Sequence, residues 1–203
     1  MSAGETGIGL IDAAASGDTD ALRMLLAIPE VDLNQRDSRG RTALMAATYA
    51  DQPAAVALLL EAGADVDLQD DLLNNPFLYA GAEGLMEILK LTHAAGADPA
   101  IRNRYGGVAI IPAAEKGHLD AVRYLLEETD VDVDHINDLG WTALLEAIIL
   151  TDGGPVQQQI IAELIAYGAD VTIADGEGVT PLQHARQRGY REIETQLLAA
   201  GAA

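Results

Sequence analysis

The chain has 203 residues, 49% of them hydrophobic, with 32 acidic against 12 basic side chains, a formal net charge of −20 and no cysteine. A field of that sign repels phosphate backbones and anionic lipid, so nucleic acid and membrane surfaces are poor partners, and the missing thiols exclude disulfides, thiolate metal sites and a cysteine nucleophile. One Trp, one Phe and six Tyr leave the apolar content mostly Ala, Leu, Ile and Val, which is enough for a sizeable core but suits close helix packing better than a large ligand cavity.

Residues 1–15 carry neither a basic opening nor an apolar run of signal-peptide length, and no stretch approaches membrane-spanning length, so a soluble cytoplasmic protein is the expectation. Region 1–36 predicts a helix stopping near Gly17, with Asp12, Asp18 and Asp20 giving it the polar look of a terminal cap. From residue 37 a period emerges, and it governs everything after it. Thr42-Ala-Leu-Met-Ala-Ala47, Asn75-Pro-Phe-Leu-Tyr-Ala80, Val108-Ala-Ile-Ile-Pro-Ala113, Thr142-Ala-Leu-Leu-Glu-Ala147 and Thr180-Pro-Leu-Gln-His-Ala185 start 33, 33, 34 and 38 residues apart. Asp32, Asp65, Asp98, Asp132 and Asp170 keep the same four spacings.

Each period predicts two helices. Thr42, Thr142 and Thr180 stand where an N-cap must accept backbone N–H groups, and Pro76 and Pro181 occupy first helical positions, where no N–H is missed. Gly17, Gly84, Gly117 and Gly189 fit left-handed helix stops. Ala55–Leu60 and Ala121–Leu126 carry the apolar spacing of a buried second helix. One such hairpin cannot cover its own apolar face, so each must stack on its neighbours.

These residues resemble the ankyrin repeat, most closely in Asp37-Ser-Arg-Gly-Arg-Thr-Ala-Leu44, in Ala113-Ala-Glu-Lys-Gly-His118 and in the Gly-Ala-Asp triplets at 63–65, 96–98 and 168–170. The strings Asn75-Pro-Phe77, Gly106-Gly-Val108 and Gly140-Trp-Thr-Ala-Leu-Leu-Glu-Ala-Ile148 are similar to those of small stand-alone bacterial ankyrin proteins. The resemblance implies an all-α solenoid of about six stacked helix–turn–helix units with short hairpin fingers. It would be a single domain over 1–203, with units near 1–36, 37–69, 70–102, 103–136, 137–174 and 175–203, the first and last serving as caps.

Three departures stand out. Leu73 and Asn75 replace the usual Gly and Thr of the third unit, where Thr92 and His93 also replace a Leu pair, so local irregularity is expected there. Pro112 falls inside a first helix, which it should kink or shorten, either as a tolerated irregularity or for a functional reason. Extra residues at 151–156 lengthen the loop between the two helices of the fifth unit and offer a private contact surface.

Catalytic and metal chemistry find little support. His93, His118, His135 and His184 lie in four unrelated contexts, and the recurring aspartates read as turn residues that bind local backbone. No phosphate-binding glycine loop or nucleophile-elbow pattern occurs, and no cofactor, metal or catalytic residue is expected.

The resemblance instead implies recognition of another protein or peptide through the concave side, made of finger tips and first helices. Carried over by repeat position, that surface holds Arg36, Arg39 and Arg41, then Leu72 and Asn74, then Arg102, Arg104 and Tyr105, then Leu139 and Trp141. Tyr49, Tyr79, Glu83, Glu115, Lys116, Glu146, Ile149 and Leu150 come from the first helices. Five of the twelve basic residues and the one Trp fall on these fingers, and Arg, Tyr and Trp are the types enriched in binding hot spots. An acidic or mixed-charge partner segment and a monomeric state are the expectation. The plainer alternative is that Trp141 packs on its neighbouring finger and the arginines pair with turn aspartates. A small-molecule-binding or minor catalytic protein with a pocket near Glu146 and Tyr79, and self-association through an exposed apolar end, are the other readings.

Overall fold

The structure is a computed structural model that describes residues 3–203. Among the described residues there are twelve helices and no strand: α1 (Ala3–Ser16), α2 (Thr19–Leu26), α3 (Ala43–Tyr49), α4 (Pro53–Glu61), α5 (Pro76–Glu83), α6 (Met86–Ala94), α7 (Ile110–Glu115), α8 (Leu119–Glu128), α9 (Ala143–Ile149), α10 (Pro155–Ala166), α11 (Pro181–Arg188) and α12 (Arg191–Ala199). They alternate as first and second helices of successive hairpins, the ankyrin-repeat solenoid expected from the period. None is long and apolar enough to cross a membrane.

Packing divides the chain into two compact units. One holds the chain up to Ala80 together with Leu85–Arg104; the other holds Gly81–Gly84 and everything from Tyr105 on. Within the first, α1 packs on α2 and α3, α3 on α4, and α4 on α6, burying Leu10, Leu22, Leu44, Met45, Leu59, Phe77, Leu78, Ile88 and Leu89. Within the second, α9 sits against α7, α10 and α11, burying Ile111, Leu125, Leu144, Leu145, Ile148, Ile160, Ile161, Leu164 and Leu182. Each helix hides a stripe that its own hairpin could not cover, so stability resides in the stacking.

Helix starts follow the capping chemistry. The hydroxyls of Thr42, Thr142 and Thr180 accept from the N–H groups of Met45, Leu145 and Gln183, and Thr180 with Gln183 closes a capping box. The turn aspartates behave alike: Oδ1 of Asp32, Asp65, Asp98, Asp132 and Asp170 takes the N–H two residues on. Neighbouring repeats are stitched by the same residue type, since Asp65 N–H donates to Asn34, Asp98 N–H to Asp67 and Asp170 N–H to Asp134.

The third repeat is more regular than its sequence suggests. Asn75 replaces threonine as a cap, its Oδ1 accepting from Leu78 N–H at 2.8 Å. Thr92 is fully buried, with its hydroxyl given to the carbonyls of Ile88 and Leu89. The departure is confined to Leu73, held at φ 58° where a glycine would be at ease. A left-handed non-glycine residue costs about 1–2 kcal/mol, and glycine returns part of that gain through the freedom of the unfolded chain. Leu73→Gly is therefore expected to raise stability by about 0.5 kcal/mol, read as a higher midpoint in urea.

Pro112 shortens its helix. Ala46 and Glu146, at the same repeat position, donate to Thr42 and Thr142 carbonyls; proline has no N–H to give. The turn tightens instead, with Ile111 N–H on Val108 O at 3.1 Å, and α7 has only six residues, Pro112 lying in its first turn. The extra residues of the fifth repeat are also tied down. They extend α10 to twelve residues behind Pro155 and fold a short loop that Thr151 anchors to Ala147 O, Gln158 to Gly153 O and Tyr190 OH to Thr151 O. The loop is thus pinned at Thr151 and Gly153, while Asp152, Pro155 and Val156 stay exposed.

Candidate interaction surface

Four finger tips are each organised by one turn residue. Asp37 Oδ1 accepts from the N–H groups of Arg39 and Arg41, Asp70 from Leu72 and Asn74, Asn137 from Leu139 and Trp141, and Asp175 from Glu177 and Val179. This places the side chains at the second and fourth positions after the turn residue on the tip, which is where Arg39, Arg41, Leu72, Asn74, Leu139 and Trp141 had been assigned.

In the first unit these residues come together. Ser38, Arg39, Arg41, Tyr49, Asp70, Asp71 and Leu72 line an open groove of about 590 Å³. Its base is Tyr49, whose hydroxyl donates to Asp70 Oδ2 at 2.6 Å and accepts from Asn74 Nδ2 at 3.0 Å. Burial and the acceptor Asp70 push the Tyr49 phenol up to about 12, so it stays a neutral donor at any physiological pH. Tyr79 packs edge-on against it, ring centroids 4.4 Å apart. Leu72 is 47% exposed on one wall, and Asp71 N–H on Arg39 O joins the two fingers.

The two arginines differ. Arg39 is exposed at the rim. Arg41 is a brace: its guanidinium grips Asp37 Oδ2 through Nη2 at 2.6 Å and Nε at 2.8 Å, the pairing that the plainer reading of the sequence anticipated. Burial raises the Asp37 carboxyl, but the hydrogen bonds from Arg41 and Arg39 outweigh it and hold the group below the usual carboxylate range. Asp70 and Asp71, both in the groove, escaped the sequence-based assignment; their signal was only that Asp70 repeats the turn position of Asp37.

Arg104 is exposed and closes the first unit. The second unit carries Tyr105, Leu139, Trp141, Glu146 and Ile149. Asp138 N–H donates to Tyr105 O at 2.8 Å, and Tyr105 and Leu139 are about half exposed, as is Ile136, which sequence reasoning missed. Trp141 is half-buried. Ile149 and Ile148 lend their carbonyls to Arg188, which caps the end of α9. Glu146 is only 5% exposed and accepts from Asn137 Nδ2 at 2.8 Å. Burial first, then the charge of Glu115, push its carboxyl up to about 7 against the pull of Asn137. Tyr79 and Glu146 belong to different compact units.

The histidines are individually engaged. Nε2 of His184 meets Asp175 at 2.7 Å, Nε2 of His135 meets Gly106 O, and the ring of His93 lies against Phe77. Burial lowers His118, which begins α8 with its ring against Gly84. Among the described residues no group of three or more His, Asp or Glu is arranged to hold a metal ion.

Hairpins of this geometry, with glycine-turned fingers and Thr-capped first helices at a 33-residue period, define a helical repeat protein. The pattern of ankyrin repeats, in three copies, matches residues 6–70 and 77–175, and the chain belongs to the ankyrin-repeat family. It is 44% identical to the ankyrin repeat protein YahD of Escherichia coli over 190 residues, 94% of each chain. A solved ankyrin repeat domain from Acinetobacter baumannii superposes with a TM-score of 0.92 at 52% identity, covering 96% of this chain and 98% of that one. Cyclin-dependent kinase 4 inhibitor B of Bos taurus is 34% identical over 126 residues, 62% of this chain and 95% of that protein.

Proposed function

We propose that the chain is a non-enzymatic cytoplasmic interaction module that binds another protein or peptide, as ankyrin repeats generally do, and that the finger and first-helix residues form the contact. In this reading residues 1–203 act as one monomeric domain. Arg39, Arg41, Tyr49, Leu72, Asn74 and Tyr79 supply one contact region; Arg104, Tyr105, Leu139, Trp141, Glu146 and Ile149 supply the rest. The observation that carries it is the open groove at Tyr49, with Leu72 half exposed on its wall and Arg39 on its rim. An apolar side chain of the partner would fill the groove, and an acidic neighbour would meet Arg39, the basic tip steering its approach. The name of the Bos taurus relative describes an inhibitor of a kinase, which is action on another protein.

Selection of displayed peptides on the intact chain tests this. Enriched sequences should pair a large apolar residue with Asp or Glu, and Leu72→Asp with Arg39→Glu should weaken them by about tenfold or more. Equal binding by parent and variant would remove the groove from the contact. The groove volume also falls in the range of small-molecule sites, so a second reading is a small apolar ligand, which would raise the melting temperature of the parent across a metabolite panel.

A further inference from the structure

The turn residue that builds each finger has a second polar atom, and what it meets differs between repeats. Arg41 donates to Asp37 Oδ2, Tyr49 OH to Asp70 Oδ2 and His184 Nε2 to Asp175 Oδ2. The fifth repeat reverses the polarity: Asn137 is the donor, and Glu146, nine residues on and 5% exposed, is the acceptor. Asn137 is itself 6% exposed. Its Oδ1 holds the N–H groups of Leu139 and Trp141 at 3.0 Å, and its backbone N–H holds Trp141 O at 3.0 Å. One side chain therefore joins a buried titratable group to the loop that displays Leu139 and Trp141.

We propose that Glu146 is a proton-operated latch on this finger: protonated, it stays buried against Asn137 and the loop is fixed; ionised, it is drawn toward water and the loop gains freedom. The proposal rests on the reading of the fingers as the contact surface and adds its regulation. Burial disfavours the charged form of a carboxyl, and at this 5% exposed position burial and the charge of Glu115 outweigh the hydrogen bond from Asn137, so an opened loop favours the ionised group.

Other charges around α9 are accounted for. From α7, Glu115 faces Glu146 and disfavours its ionisation. From α10, Glu163 is held by Arg123. From α11, His184 is held by Asp175, Arg186 by Glu194 and Arg188 by the carbonyls of Ile148 and Ile149. Glu115 is thus the neighbour whose charge sets where the latch operates, and burial keeps its working range near neutrality.

Trp141 is the single tryptophan of the chain, so its emission reports on this finger without any partner present. Emission followed from about pH 5 to about pH 9 should show one transition centred near neutrality. The exchange protection of the Leu139 and Trp141 amides, corrected for intrinsic rates, should be about threefold lower on its alkaline side. Glu146→Gln, which keeps an acceptor oxygen for Asn137, should abolish both changes, and Glu115→Gln should move the midpoint to lower pH. A flat parent profile, equal protection on both sides, a transition that survives Glu146→Gln or a midpoint that ignores Glu115→Gln would each overturn the latch. None of these readouts involves a ligand, so they stand apart from success or failure of the peptide selection.

Discussion

Replacing Gly153 with alanine is expected to lower stability by about 3 kcal/mol. Gly153 lies buried in the loop between α9 and α10 at φ 66°. A Cβ there would stand 2.7 Å from ring atoms of Tyr190, far inside any normal contact, and would also carry the left-handed penalty of about 1–2 kcal/mol. Tyr190 cannot retreat freely, because its hydroxyl is given to Thr151 O at 2.7 Å. Tyr190→Phe should cost only about 1 kcal/mol, the worth of that hydrogen bond. In Gly153→Ala with Tyr190→Ala the steric part of the loss should vanish, so the pair will be strongly non-additive in urea unfolding.

Glu146→Gln is expected to stabilise the protein, and only on the alkaline side. The folded carboxyl titrates near 7 against an ordinary value of 4.5, so between those values the folded state keeps a proton that the unfolded chain has released. Stability contributed at this position is therefore complete below about pH 4.5 and is lost as pH rises through 7. Glutamine never ionises and escapes that loss. The variant should exceed the parent by about 2–3 kcal/mol above neutrality, and the two should converge in acid. Urea midpoints at alkaline and acid pH measure it directly. A constant difference between them would mean that ionisation of Glu146 carries no cost.

Much of the architecture was legible because a stacked repeat rewrites the same local chemistry every 33 or so residues. Thr42, Thr142 and Thr180 announce helix starts, and the turn aspartates announce the tight loops. Asn75 was readable only as a departure, although an amide oxygen caps a helix as well as a hydroxyl does. Pro112 was readable as an obstacle, while its harmless placement in the first turn depends on where the helix begins. The groove was partly legible: Arg39, Arg41, Tyr49 and Leu72 follow from repeat position. The bond from Tyr49 to Asp70 does not, since it joins side chains of successive repeats 21 residues apart. Nor does the fastening of the 151–156 loop, because it depends on Tyr190, 39 residues from the carbonyl it binds. Burial of Glu146 escaped for a similar reason. Its position is alanine, tyrosine, proline or histidine in other repeats, and the hydrogen bond from Asn137 is what a buried carboxylate finds there.

The most direct test of recognition by the fingers is a map of backbone amide shifts when a selected acidic, apolar-anchored peptide is titrated into the intact chain. The proposed contact predicts the largest changes at 38–41 and 70–74, with the second-helix faces around Met24, Tyr167 and Leu198 unmoved. Shifts concentrated on those second helices, with the groove at Tyr49 silent, would contradict it.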